Sequence, residues 1–357
     1  MRISILEEFT RFGGGQTVFG DIYHVLREAG FSIAVVADKT HKFLPEYVPS
    51  ETVISSTFDK EEWNRPATLL PSILNLKREL PKIVPDGMTL NNHPNVFLYN
   101  ATINFSHEIF GFMAHRPGPL DRLTLVILRS TGIFSIYRNA FFLVQGEFTK
   151  KQTLNTMSAL GVGGIKINTI DLPVAMPDSV DLGSKERSVI TFGRISPDKE
   201  LHKVIEMAKH LPETRFTVAG RLIPADQEYY SSLVNTAPGN VSFVPNPDVQ
   251  AKDKLLSMNK VYFHTKKNEN YGISVAEAIS YGCFPVVPLE GGTYEDVLRQ
   301  GEYGSGYSSM EEAESQLVHA LDARKSDLER IFESRGRFSR DRFRKNFLSM
   351  LRLAKEL

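Results

Sequence analysis

The sequence predicts an α/β protein of two domains, each a parallel sheet with helices between its strands. Three observations carry this expectation. The 357 residues exceed what one hydrophobic core usually serves, so two domains are the natural division. From Ser188 to Val297, short β-branched and aromatic runs alternate with stretches of helical spacing. The N-terminus has the same order of strand, turn, helix and strand, with a glycine-rich turn. Such alternation makes the strands parallel and puts ligand sites beyond their carboxyl ends.

In the first half, residues 3–6 read as a strand, residues 7–12 as a loop, and Gly13, Gly14 and Gly15 as the turn. Val18, Ile22, Val25, Leu26 and Ala29 then lie on one face of a helix closed by Gly30, and residues 32–37 form the second strand. The glycines allow a ligand close to the backbone, and they serve equally as a tight turn. Prolines at 45, 49, 66, 71, 81 and 85 break residues 38–87 into short pieces. Residues 89–92, 96–99 and 103–105 read as further strands, and His107 follows the last of them. A histidine on that side of a sheet is a catalytic candidate, although a lone histidine also serves structure. Residues 116–142 mix Arg116, Arg122, Arg129 and Arg138 with apolar text, which suits either a core helix or a surface resting on lipid headgroups. A strand at 142–145, a helix opening at GEFTKKQTLNTM and a strand at 165–170 complete the half.

Residues 171–187, with two prolines, four acidic residues and no usable periodicity, read as an interdomain linker. A strand at 188–192 leads into GRISPDKE, residues 193–200, and then into a helix with Leu201, Val204, Ile205 and Ala208 inward. Strands follow at 215–219, 241–244, 261–263 and 284–287. After Val297 two helices are expected, the last with Phe343, Phe347, Met350, Leu351 and Ala354 on one face. Residues 335–357 hold eight Lys and Arg against two acidic residues, so this helix either lies on anionic lipid or packs on the other domain.

Composition narrows the class. Lys plus Arg and Asp plus Glu are 42 each, so no global field points to nucleic acid. The apolar run at 123–128 is far short of the roughly 20 residues of a membrane span, and Met1 leads straight into a strand. Neither a signal peptide nor a membrane span is expected, which predicts a cytoplasmic location. A single cysteine, Cys283, precludes an internal disulfide and a multi-cysteine metal site. It follows the helix-ending Gly282 and reads as a small buried hydrophobe.

The chemistry concentrates in residues 266–297, KKNENYGISVAEAISYGCFPVVPLEGGTYEDV. Glu269 falls in the loop after a strand, and Glu277 falls one turn into the helix that begins at Ile273. Both carboxylates can face one pocket. Arg194 and Lys199 flank another helix start, where the macrodipole prefers negative charge; an oligophosphate would account for them, and so would side chains pointing to water.

Glu269 to Glu277 with the following EGGTYEDV resembles the E-x7-E motif and trailing Gly-Gly segment of the family 4 retaining glycosyltransferases. GRISPDKE resembles that family's G-R-x-x-x-x-K segment, and Gly14, Gly15, His107 and QGEFTKKQTL fall in the family's order. HTKKNENYGISVAEA, residues 264–278, is similar to the corresponding segment of the dolichol-pathway α-1,2-mannosyltransferases. The resemblance implies the GT-B fold: two Rossmann-like domains with parallel sheets facing across a cleft, and a C-terminal helix that crosses back to the N-domain. The division is then an acceptor-side domain at 1–170, a linker at 171–187, a nucleotide-sugar-binding domain at 188–335 and a basic amphipathic helix at 336–357.

The implied activity is a metal-independent, retaining transfer of a hexose, mannose or glucose, to a glycan or lipid-linked saccharide. The co-substrate would be a nucleotide sugar such as GDP-mannose, UDP-glucose or ADP-glucose, with no other cofactor. Arg194 and Lys199 would grip the donor diphosphate, Glu269 the sugar hydroxyls, and Glu277 the ribose. The backbone at Asn270, Tyr271, Gly272 and Ile273 would help hold sugar or phosphate, Gly14 and Gly15 would close the phosphate site, and His107 would stand near sugar and acceptor. Loops at 220–222 and 244–246 would lie near the base. Peripheral contact with the cytosolic face of an anionic membrane follows from the same resemblance. Alternatives on this scaffold are a nucleotide-sugar epimerase, a sugar phosphorylase or a non-catalytic nucleotide-binding module. A glycosidase carboxylate pair is disfavoured, because a hydrolase has no diphosphate for the cations to hold.

Overall fold

A computed structural model of the chain describes residues 1–7, 14–38, 53–56, 86–92, 100–105 and 129–356, with single positions at 78, 82, 84 and 126. His107, the strand expected at 96–99 and most of 116–128 lie outside the described residues. The chain divides into two compact units, Met1–Asp171 with Phe343–Leu357, and Leu172–Arg342.

In the first unit the elements are β1 (Arg2–Glu7), α1 (Gly14–Glu28), β2 (Ser32–Asp38), β3 (Val53–Ser56), β4 (Met88–Asn91), β5 (Ile103–Asn104), β6 (Phe141–Val144), α2 (Gly146–Ala159) and β7 (Lys166–Thr169). The strands pair in parallel in the order β3-β2-β1-β4-β5-β6-β7. The strand order reverses between β1 and β4, the switch point where open sheets bind ligands. Gly14 and Gly15, expected in a turn, are the first two residues of α1. Within residues 129–142, Phe134 and Tyr137 are buried against Phe142 and Met157, whereas Arg129 to Gly132, Ser135, Arg138 and Asn139 are exposed. A core helix or a lipid-facing surface was expected there; residues 129–130 are helical, and a 3-10 turn follows at Ile133–Tyr137. The last helix buries Phe343, Phe347, Leu351 and Ala354, with Phe347 stacked on Phe105 at 6.4 Å and Arg344 3.7 Å from Glu28.

The second unit comprises β8 (Glu186–Phe192), α3 (His202–His210), β9 (Arg215–Gly220), α4 (Gln227–Thr236), β10 (Val241–Pro245), α5 (Val249–Met258), β11 (Asn259–Phe263), α6 (Ile273–Ser280), β12 (Phe284–Pro288), β13 (Ser305–Tyr307), α7 (Met310–Leu321) and α8 (Lys325–Glu333), and it ends at the start of α9 (Arg340–Lys355). Its sheet is again wholly parallel, in the order β10-β9-β8-β11-β12-β13. The inward positions follow the helical spacing: Leu201, Val204, Ile205 and Ala208 are buried, as are Val275, Ala276, Ala278 and Ile279. Gly282 takes a left-handed φ of 71° and ends α6, with the Cys283 N–H returning to the Ala278 carbonyl at 2.9 Å.

Two expectations change. Strand β13 and three helices, not two helices alone, follow Val297. The segment at 171–187 is not a free connection, since all but its first residue belongs to the second unit. Lys185 fastens it there by donating to the carbonyls of Leu256, Ser257 and Asn259 at 2.9–3.1 Å. Cys283 is buried beside this ammonium, and burial pushes its thiol up. Among the described residues no helix is long and apolar enough to cross a membrane.

Candidate functional site

Strands β8 and β11 are neighbours at the switch point of the second sheet, so the loops leaving their carboxyl ends meet. The β8 loop carries Arg194, Ser196, Asp198 and Lys199; the β11 loop carries His264, Lys266 and Glu269. Hydrogen bonds fix the loops to each other. Thr191 Oγ1 donates to the Phe263 carbonyl at 2.7 Å, the Tyr262 hydroxyl to the Phe192 carbonyl at 2.7 Å, and Thr265 Oγ1 to the Lys199 carbonyl at 2.6 Å. Further along, the Gly292 N–H donates to the Glu269 carbonyl at 2.8 Å and so holds the Gly-Gly segment against the carboxylate loop.

The side chains form a run of alternating charge. Lys199 Nζ lies 2.5 Å from Glu269 Oε2, Lys266 Nζ lies 3.6 Å from the same oxygen and 3.5 Å from Asp198 Oδ2, and Arg194 donates to Asp198 Oδ1 at 2.9 Å. Ser196 Oγ lies between Arg194 Nε, at 3.1 Å, and Asp198 Oδ1, at 2.6 Å. Three cations thus face two carboxylates, a surplus of one positive charge. Burial by itself would raise the pKa of Glu269, but Lys199, Lys266 and His264 lower it to about 2, so it is ionised. Burial also opposes ionisation of Asp198, and Ser196, Arg194 and the two lysines outweigh it.

Arg194 and Lys199 were expected either to await an oligophosphate or to point to water. Neither simply points to water: each has a carboxylate partner, and the helix near them, α3, starts only at His202 after a 3-10 turn at Pro197–Lys199. The helix dipole is therefore not what makes these cations notable. Their notable feature is the shared, partly desolvated cluster.

Glu269 and Glu277 were expected to look into one pocket as a pair. Both lie near enough to the buried Tyr262 hydroxyl to raise its pKa, which burial raises first. Their partners differ: Glu277 Oε1 takes Lys252 Nζ from α5 at 3.0 Å. Just past the end of α6, the helix of Glu277, Tyr281 donates to Asp253.

Asn270, Tyr271, Gly272 and Ile273 lead directly into α6. Gly272 caps that helix with a φ of 88°, and no side chain caps its first turn, which also lacks an acidic residue. Backbone N–H groups there are suited to an anion or a sugar oxygen. A Cβ on Gly272 would strike Thr293, and one on Gly292 would strike the Asn270 carbonyl, so both glycines permit a close approach of chain to chain. The Tyr271 hydroxyl accepts from the Leu172 N–H at 3.2 Å, a structural use of that side chain. The loops at 220–222 and 244–246 are drawn together by the Asn246 side chain, which accepts from the Leu222 N–H at 2.9 Å.

His264, Lys266, Asp198 and Lys252 belong to this constellation and were not singled out from sequence. The position rule that marked His107, a histidine just beyond a strand's carboxyl end, also marks His264.

Residues 176–340 match the family described as Glycosyl transferases group 1. The chain is 24% identical over 190 residues to the GDP-Man:Man(3)GlcNAc(2)-PP-Dol alpha-1,2-mannosyltransferase of Dictyostelium discoideum, and the match covers 48% of this chain and 38% of that protein's length. Among solved structures, WaaG, a glycosyltransferase involved in lipopolysaccharide biosynthesis, aligns with a TM-score of 0.69 at 16% identity over 98% of this chain and 99% of its own. Sucrose-phosphate synthase from Thermosynechococcus elongatus aligns with a TM-score of 0.71 at 14% identity over 99% of this chain and 98% of its own. The chain has the two-domain GT-B fold, and over residues 176–340 it is similar to the group 1 glycosyltransferases.

Proposed function

We propose that the protein transfers a hexose, with retention and without a metal, from a nucleotide diphosphate sugar to a glycan or lipid-linked saccharide. The carrying observation is the cluster of Arg194, Lys199 and Lys266 with Asp198 and Glu269, which holds one surplus positive charge at the switch point beside an uncapped helix start. In such a transfer the bond from the sugar C1 to the diphosphate breaks, its electron pair leaves with the diphosphate, and a bond from C1 to the acceptor oxygen forms. Charge therefore develops on the leaving group, where preorganised cations and backbone N–H groups act.

Arg194 and Lys199 serve the diphosphate in this reading. Glu269 binds sugar hydroxyls, Glu277 the ribose, and the backbone of residues 270–273 the sugar or phosphate. The family resemblance gives Gly14 and Gly15 a role toward the phosphate and His107 a role toward sugar and acceptor. The D. discoideum relative is named for a GDP-mannose donor and a dolichol-linked acceptor, which makes GDP-mannose and a polyprenyl-linked glycan the first pair to assay.

The test is a thermal-shift panel of GDP, UDP and ADP sugars followed by product mass spectrometry with the selected donor. A selective shift and an acceptor gaining one hexose are expected, with activity unchanged by a chelator. Binding without turnover across the acceptor panel would replace this reading by a nucleotide-binding module. A peripheral membrane contact through the exposed basic face of α9 predicts sedimentation with anionic liposomes at low salt, lost as salt rises. No sedimentation at low salt would remove the membrane from the reading.

A further inference from the structure

His264 follows Phe263 at the carboxyl end of β11, and its backbone is held on both sides: its N–H donates to the Val286 carbonyl at 2.9 Å, and its carbonyl accepts the Tyr307 hydroxyl at 2.8 Å. The residue is 5% exposed, and its Nε2 is a buried side-chain nitrogen with no hydrogen-bond partner. That nitrogen stands 4.0 Å from Glu269 Oε2, the oxygen that receives Lys199. A buried polar atom left unpaired is costly, and strand ends fixed in this way cannot turn it out to water.

We propose that His264 is a specificity-determining contact for the donor sugar, binding beside Glu269 the hydroxyls of the hexose; this rests on the reading of the site as a nucleotide-sugar site. The geometry suits hydroxyls in particular. An ionised carboxylate can only accept, and the neutral imidazole nitrogen 4.0 Å away either donates to the hydroxyl that Glu269 accepts from or accepts from its neighbour. Phosphate oxygens are all acceptors and suit the lysines and Arg194 instead. The free nucleoside diphosphate thus makes no demand on His264, whereas the sugar does.

The experiment compares dissociation constants of GDP with GDP-mannose, UDP with UDP-glucose and ADP with ADP-glucose, for the wild-type chain and for His264→Ala and His264→Gln. For the pair that wild type binds, His264→Ala is expected to weaken the nucleotide sugar about tenfold while changing the free diphosphate less than about twofold, a difference of one hydrogen-bond-sized step. His264→Gln, which returns a polar atom, is expected to recover part of that loss and guards against an alanine variant that fails to fold. A sugar-to-diphosphate ratio unchanged in both variants, with diphosphate binding intact, overturns the role of His264 and leaves the proposed function standing. Failure of wild type to bind any nucleotide of the panel overturns the proposed function, and this inference with it.

Discussion

Lys199 and Glu269 hold each other at 2.5 Å, and in the proposed reading each also contacts the donor, so their substitution separates binding from folding. Lys199→Ala and Glu269→Gln are each expected to lower transfer at least ~100-fold, the size of a lost electrostatic contact to a developing charge. Stability should change by only about 1–2 kcal/mol, because both side chains are partly exposed and Lys266 stays 3.6 Å from Glu269. Full activity in both variants would sink the assignment. The same cluster sets an acid response. Burial pushes the His264 pKa down from 6.5 to about 4, with Glu269 opposing and Lys199 and Lys266 assisting. The unfolded chain therefore takes up the proton first, and the folded state loses stability as pH falls from 6.5 to 4, by roughly 3 kcal/mol. Glu269 acts in a lower window: its contribution is present above 4.5 and is lost as pH falls toward 2. Urea titrations at pH 7 and 4.5 should find a smaller stability difference in His264→Gln than in wild type. Equal differences would show that His264 does not carry the acid limb.

The loop from β11 into α6 depends on what the Gly-Gly segment does on its flank. Gly272 has a φ of 88°, and its missing Cβ leaves room for the Thr293 side chain. Gly272→Ala is expected to cost about 1–3 kcal/mol by denaturant titration, from backbone strain together with the clash. Adding Thr293→Ser removes the methyl that the new Cβ meets and should return part of the loss; no recovery would leave backbone strain as the whole cause. The far end of this segment is pinned by Arg337, a buried guanidinium that donates to the Val297 carbonyl at 2.6 Å and the Asp296 carbonyl at 3.3 Å, and lies over the Tyr303 ring. Arg337→Met should therefore destabilise the second unit by roughly 2–4 kcal/mol, since several carbonyls lose a charged donor at once. A change below about 0.5 kcal/mol would show that the segment holds itself. The run of Val275, Ala276, Ala278 and Ile279 announced α6 correctly because helical spacing is local. Arg337 gave no such sign, because its partners lie about 40 residues away in the chain.

Each unit carries its own parallel sheet, but the first is completed by the last residues of the chain. Phe343, Phe347 and Leu351 bury their side chains with it, each worth roughly 1.5–3 kcal/mol. A chain ending at Arg342 should consequently show proteolysis within residues 1–171 at protease levels that leave residues 172–342 intact. Equal resistance of the two units would mean that the helix adds little to the first. The amphipathic pattern of this helix was plain in the sequence, which left lipid or protein as the occupant of its apolar face; packing decided for protein on that face, and the basic face remains exposed. By itself the sequence determined the alternating elements, the parallel sheets, the loops that hold Arg194, Lys199 and Glu269 and the helix that holds Glu277, because periodicity and motif spacing act over one or two turns or strands. Only the tertiary structure decided the partners. Lys199 reaches Glu269 across 70 residues, and Lys252 reaches Glu277 across 25. Charge pairing follows distance in space, which the switch point of the sheet sets, and so Asp198, Lys266 and His264 became part of the site only when β8 and β11 lay side by side.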